Sequence, residues 1–325
     1  MFNRSAFRRA GVALLCAASL ASPVSAADAW PTRPIRLLVG FPGGSSPDLA
    51  ARVLAEHLGR ALNQTVIVED KPGASGNIAT EQIAKAADDH TLGIVINGNL
   101  TSAKMLTPRL PYDPARDFTY LTLVGTAPLI LVAPPDAPGG SVFLGAARSA
   151  GSKWNYGSVG VGSVGHLGME LLKSRLPGFA AEHIPYQGNP QVVSALIGKQ
   201  IDMALVAPGV ALPQIRAGRL KAIGLTSGRS VLAPDIAPLA DLGVKNFQLE
   251  IWVALIGPAS LSKAAQARLA HVLPDILKRP EVRQQLFDQG WQAPAVSSSE
   301  ALQARVQEET KVMSEIITSQ HIRLD

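Results

Sequence analysis

Cysteine is all but missing from this chain: of 325 residues only Cys16 is one, and it falls in the N-terminal leader. The chain beyond the leader therefore has no disulfide, no thiol nucleophile and no cysteine metal ligand. Histidine is scarce too. The six present, His57, His90, His166, His183, His271 and His321, lack the spacing that gathers ligands round a metal, so neither a metal nor a cofactor is expected. Past the leader no apolar run reaches the ~20 residues that cross a bilayer, and there is no internal repeat or low-complexity tract. An excess of charge is missing as well. Without residues 1–26, which hold three arginines and no acid, 27 basic side chains face 25 acidic ones, a formal charge of +2. No basic patch for nucleic acid survives that count.

The leader has an export layout: Arg4, Arg8 and Arg9, an apolar stretch from Ala10 to Ala21 too short to span a membrane, then Val24-Ser25-Ala26 as a small-residue cleavage site. Cleavage after Ala26 and a soluble periplasmic protein are expected. Arg8-Arg9 raises twin-arginine export, ranked second because Ala10-Gly11-Val12 departs from that pattern. Cys16 does not read as a lipoprotein cysteine, since Ala13-Leu14-Leu15 lacks the small residue that should precede it. The remaining 299 residues exceed what one core usually sustains, which favours two domains.

From Trp30 onward short β-branched runs alternate with helical patterns. Ile35–Val39, Thr65–Val68 and Leu92–Ile96 read as strands, and Leu49–Leu62 and Asn77–Ala87 as helices. This is βαβ rhythm, hence an α/β fold with a largely parallel sheet. The rhythm repeats in strands at Trp154–Gly157, His183–Tyr186, Ile201–Val206 and Ala222–Thr226, before a long apolar strand at Phe247–Gly257 and three terminal helices. The late helices suggest that the C-terminal part returns to the first domain. The expected division is residues 27–124 with 251–325 as one domain and 125–250 as the other. Ligands of open α/β sheets sit beyond the carboxyl ends of the strands, so two such domains place their loops round one cleft.

Those loops carry the chemistry. Phe41-Pro42-Gly43-Gly44-Ser45-Ser46-Pro47-Asp48 joins a strand to a helix, with Ser46 reading as N-cap and Pro47 as the first helical residue. A helix N-terminus offers free N–H groups and partial positive charge, and this loop has no Lys or Arg, so an anion there is held by amides and hydroxyls. Asn97-Gly98-Asn99 comes after another strand. Gly160-Val161-Gly162-Ser163-Val164-Gly165 is a literal G-x-G-x-x-G with Glu182 about twenty residues on, but Glu182 precedes its strand and cannot reach a ribose, which argues against a dinucleotide. Ser158 and Ser163 bring hydroxyls to that turn. Pro185-Tyr186-Gln187-Gly188-Asn189-Pro190 is a third such turn, with Asn189 reading as N-cap, and Val206-Ala207-Pro208-Gly209 an apolar fourth. Ser163 and His166, three residues apart on a helix, form a conceivable nucleophile and base, yet no acid orients the histidine and no G-x-S-x-G elbow holds the serine. Amides and hydroxyls without an evident acid–base pair describe a receptor for a small anion.

The chain resembles the Bug-type solute receptors of tripartite tricarboxylate transporters, which are type II periplasmic binding proteins. The resemblance is carried by Trp30-Pro31-Thr32-Arg33-Pro34-Ile35, the run from Phe41 to Arg52, Glu69 to Asn77, Leu110-Pro111-Tyr112-Asp113-Pro114, Ser158 to Leu167, Pro185 to Gly188, Ile215 to Leu220, and Trp252. It implies two α/β domains joined by two crossing strands that close over a carboxylate held by amides and waters. Phe41, Gly44, Ser45, Ser46, Asp48, Asn97, Asn99, Ser158, Gly160, Gly162, Ser163, His166, Tyr186, Gln187, Gly188, Val206 and Ala207 are the ligand-binding candidates. Where many relatives have an Asp-Asn pair this chain has Val206-Ala207, and Gln187 stands in place of the usual lysine. Loss of the acid disfavours amino acids and leaves dicarboxylates or aromatic carboxylates. The expected partner is the membrane permease and the expected state a monomer. A secreted hydrolase using Ser163 and His166, and a receptor docking on a sensor kinase, are the alternatives.

Overall fold

The computed structural model describes residues 30–322. The leader, Cys16 and the cleavage site expected after Ala26 lie outside the described residues.

Three parallel strands open the fold: β1 (Ile35–Val39), β2 (Val66–Asp70) and β3 (Thr91–Ile96). Their crossovers are α1 (Ser46–Leu62) and α2 (Asn77–Ala84). Every residue of β3 is buried, which is why its sequence after Thr91 is an unbroken run without polar side chains rather than an alternating one. In α1, Ala50, Leu54, Leu58 and Leu62 recur at four-residue spacing and are buried, so one stripe of the helix closes the sheet. The short helices α3 (Asn97–Leu100) and α4 (Ala103–Leu106) come after β3, and then β4 (Phe118–Pro128) runs eleven residues along the edge of the sheet.

Leu129 alone separates β4 from β5 (Ile130–Ala133), which belongs to a second sheet. The second sheet and its helices are then built by α5 (Gly140–Ala150), β6 (Asn155–Ser158), α6 (Val164–Arg175), β7 (Glu182–Pro185), α7 (Asn189–Ile197), β8 (Met203–Val206), α8 (Pro208–Arg216) and β9 (Lys221–Leu225). The chain returns to the first sheet on β10 (Glu250–Pro258) and ends in α9 (Lys263–Lys278), α10 (Pro280–Asp288) and α11 (Ser299–Ser319). The strand orders are β2-β1-β3-β10-β4 and β7-β6-β8-β5-β9. Both sheets are mixed, not largely parallel as the rhythm predicts. β10 runs antiparallel to β3 and β4, and β5 antiparallel to β8 and β9. β4 carries the chain out of the first sheet and β10 brings it back directly beside β4, in the opposite direction. Among the described residues no helix is long and apolar enough to cross a membrane.

The two passages between sheets are tied by one residue. Thr226, fully buried, accepts from Leu129 N at 2.8 Å through its hydroxyl and donates the hydroxyl proton to Leu249 O at 2.7 Å. Its backbone repeats the link, with Thr226 N donating to Leu129 O and Leu249 N to Thr226 O. Replacing Thr226 by the isosteric Val keeps the shape and leaves a buried N–H and a buried C=O without their side-chain partner. A loss of roughly 2–6 kcal/mol is expected in urea unfolding, from two orphaned groups at about 1–3 kcal/mol each.

Candidate functional site

The carboxyl-end loops of the two sheets meet along a seam. Backbones approach closely there: a Cβ on Gly98 would stand 3.0 Å from Gly162 O, and one on Gly160, whose φ is +115°, would collide with Ser75 Oγ. Three hydrogen bonds cross directly, Ser75 Oγ to Val161 O at 3.0 Å, Ser102 Oγ to Gly162 O at 2.7 Å and Asn189 Nδ2 to Ser46 Oγ at 3.2 Å. Between them lie two chambers. The first, about 20 Å³, is lined by residues including Phe41, Ser45, Ile96, Ser163, Asn189 and Ile251. The second, about 10 Å³, is lined by Ser75, Asn77, Asn99, Ser102 and Gly162, and shares Ser163 and Ile96 with the first. An open groove of about 1050 Å³ adjoins the second and carries Gly160, Tyr186 and Gln187 on its wall.

The sequence places the caps of α1 and α7 one residue late, and the correction bears on the site. The N-cap of α1 is Ser45, with Ser46 and Pro47 already helical, and no side chain caps it. Asp48 instead reaches back to accept from Gly44 N at 2.8 Å and pairs with Arg52 Nε at 2.8 Å. The Ser45 hydroxyl is thereby left 1% exposed, without a hydrogen-bond partner, on the wall of the first chamber. An unpaired buried hydroxyl is costly, and no group of the protein pairs with this one. The N-cap of α7 is Gly188, so Asn189 lies inside the helix. The two residues that read as caps, Ser46 and Asn189, bond to each other across the seam.

The turn from Ser158 to Ser163 is held from behind. Ser163 caps α6, accepting from His166 N at 3.3 Å and donating to Gly160 O at 2.7 Å. His166 Nδ1 accepts from Gly162 N at 3.3 Å, so its proton is on Nε2 and its ring faces the loop backbone, not the Ser163 hydroxyl. The pair considered as nucleophile and base is therefore not joined. Ser158 Oγ bonds Gly160 N at 3.1 Å and His183 Nε2 at 2.7 Å. The imidazoles of His166 and His183 stand 4.3 Å apart and stack on Tyr156, whose hydroxyl donates to Glu170 Oε1 at 2.5 Å. Burial pushes His166 down to about 4 and His183 to about 3, with Lys173 opposing charge on both and His166 opposing it on His183. Glu182 opens β7 in register with Asn155, at the end of β6 remote from the glycine turn.

Of the sequence candidates, Phe41, Ser45, Asn99, Gly160, Gly162, Ser163, Tyr186 and Gln187 line the chambers or the groove. Others lie beside them with side chains engaged elsewhere. Asn97 turns away to donate to Glu309 Oε1 at 2.5 Å and to Glu250 O, beside Trp252 Nε1 on Glu309 Oε2. Asn99 spends its amide on Ser75 O, Asn77 Oδ1 and Ile96 N. Gly44 is exposed and lines neither chamber, and Gly188 packs against the Pro42 ring. Val206 and Ala207 are buried in the cores, because α8 starts against the turn at Gly290 rather than at the seam. Ser75, Asn77, Ser102 and Asn189 belong to the site without being sequence candidates for it. A signal is present for Ser75 and Asn77, whose Gly73-Ala74-Ser75-Gly76 turn has positive φ at all four residues. That backbone is costly for Ala and Ser and is kept where something requires it.

No Lys or Arg is among the residues lining these three spaces, and Glu81 is their one charged member. Lys104 pairs with Asp113 and Arg109 is exposed. Positive potential comes instead from helix starts: α1, α6 and α7 each send first-turn residues to the first chamber.

The family model described as "Tripartite tricarboxylate transporter family receptor" matches residues 50–322. The chain is 35% identical to BugT of Bordetella pertussis over 249 residues, 75% of this chain and 76% of the relative. Among solved structures it is similar to the periplasmic binding protein BugD, with TM-score 0.85 and 28% identity over 90% of this chain and 99% of that one. It is also similar to MatC from Rhodopseudomonas palustris, solved with malate, at TM-score 0.83 and 28% identity over 89% and 100% of the two chains.

The histidine pair gives the site a pH signature. Both imidazoles are neutral in the fold and bind protons near pH 6.5 once unfolded. Their contribution is complete above about 6.5 and falls as pH drops toward 4, because the unfolded chain takes up protons the folded one refuses. Melting temperature should decline across that window. In His183→Gln the decline should be shallower, as tracked by circular dichroism; an equal slope in both proteins would count against this account.

Proposed function

This chain belongs to the receptor family of tripartite tricarboxylate transporters, and from that premise we propose that it captures a small carboxylate in the seam and delivers it to the permease. One observation carries the reading: the Ser45 hydroxyl is buried and unpartnered where the starts of α1, α6 and α7 converge, in a chamber with no ionised side chain. Such a chamber suits a carboxylate, which takes N–H and O–H donors, and repels an ammonium, which finds no acid. The malate in the MatC structure supports the same class of ligand. Amino acids are disfavoured because no carboxylate lines the first chamber, an objection that applies to neither dicarboxylates nor aromatic acids.

The protein works as a monomer of two bodies after export and cleavage behind Ala26: residues 27–124 with 251–325, whose strands β4 and β10 reach past those bounds to Pro128 and Glu250, and the intervening residues that carry the second sheet. A hydrolase reading is not favoured, since the Ser163 hydroxyl donates to Gly160 O and His166 Nδ1 accepts from Gly162 N. The bodies close about the Thr226 pin. Three neutral hydrogen bonds across the seam are worth about 0.5–1.5 kcal/mol each, comparable with the few kcal/mol that usually separate open from closed states. A ligand touching both loops can therefore decide the balance.

Two measurements test this. In calorimetry Ser45→Ala should weaken carboxylate binding by about 1.5–3 kcal/mol, the range for a hydrogen bond to a charged group, and wild-type affinity should change little with ionic strength because no exposed ion pair contributes. A steep salt dependence with unchanged affinity in Ser45→Ala would refute the site. Small-angle scattering should show a smaller radius of gyration at saturating ligand than after its exhaustive removal; identical curves would refute closure.

A further inference from the structure

We infer that the preferred cargo is a monocarboxylate with a long uncharged body, its carboxylate in the seam and its body in the open groove; this rests on the seam being a carboxylate site. Size comes first. The chambers, about 20 and 10 Å³, are each near the minimum that holds one water. Together they take the oxygens of a carboxylate and not a carbon skeleton. The groove, at about 1050 Å³, is comparable with sites that hold whole small molecules, and it shares Ser75, Asn77, Thr107 and Val161 with the second chamber. The Ser75–Val161 hydrogen bond is part of that common wall, and a chain passing from chamber to groove displaces it.

Charge decides what that chain can be. The groove has no Lys or Arg on its wall, and its one ionised residue, Glu81, is acidic and already paired with Lys85. A second carboxylate carried into the groove would gain no cation and would stand near the Glu81 carboxylate. The wall instead suits an apolar body: Ile78, Leu110, Pro111, Val161 and the ring of Tyr186 line it, while Gln187 and Gln200 offer hydrogen bonds to hydroxyl or carbonyl substituents. Apolar contact grows with chain length, by at most about fourfold in affinity per buried methylene.

Calorimetry at pH 7 with butanoate, hexanoate, octanoate, succinate and malate tests the assignment. Octanoate should bind at least tenfold more tightly than butanoate and than either dicarboxylate. Ser194→Trp, at an exposed position on the groove wall, should remove most of the octanoate advantage while leaving butanoate within twofold, with an unchanged melting temperature showing that the variant is folded. If succinate or malate binds more tightly than octanoate, or if Ser194→Trp leaves octanoate untouched, the groove assignment is overturned and the seam reading stands. If none of the five acids binds, both fall.

Discussion

A negative charge taken out of water with no cation beside it is stable only where donors stand fixed before it arrives. That requirement runs through the structure. It explains why the seam is built of strand-to-helix turns, whose amides are unused by the helices they begin. It also explains why so many polar side chains near the seam are spent on the loops themselves: Asp48 holds Gly44, Asn99 holds the 75–77 turn, and Ser158 and His166 hold the 160–162 turn. Each of these bonds removes a freedom that a charged guest would otherwise have to remove. On the function proposed above, the first chamber stays neutral in formal charge and attracts an anion through helix-start amides.

The same constraint accounts for the histidine pair. A charged imidazole behind the glycine turn would add attraction for an anion but could not accept from Gly162 N, so the turn would lose its backbone anchor. Burial against Tyr156 keeps both rings neutral. Preorganisation is favoured over net charge here. The groove outside carries the preference further, with amides and rings where a cation could have stood.

Much of this is legible in the sequence because strands, crossovers and glycine turns are local. β1 has the bounds its apolar run suggests, and α9 and α11 start behind Ser262 and Ser298, which cap them through their hydroxyls. Local pattern does not supply the direction of side chains at the turns. Asn97 is drawn off by Glu309, 212 residues away, and no spacing rule announces that. Ser46 and Asn189 look like caps because serine and asparagine before proline usually are. Their partners are each other, 143 residues apart, and the true caps sit one position earlier, which lets them meet. The helix α5 is hard to read from the chain because Gly139-Gly140 opens it and its apolar face, Phe143, Leu144 and Ala147, is short. The antiparallel course of β10 likewise depends on where the chain must return, which is a property of the whole topology.

Thr226 has a mechanical role beyond its hydrogen bonds. Because Leu129 and Leu249 are both fastened to it, the outgoing and returning chains are held side by side, and neither can shift along the other without breaking bonds at this residue. If the two bodies close as proposed, both passages turn together at that point, so a change at one buried threonine reaches the outgoing and the returning chain alike.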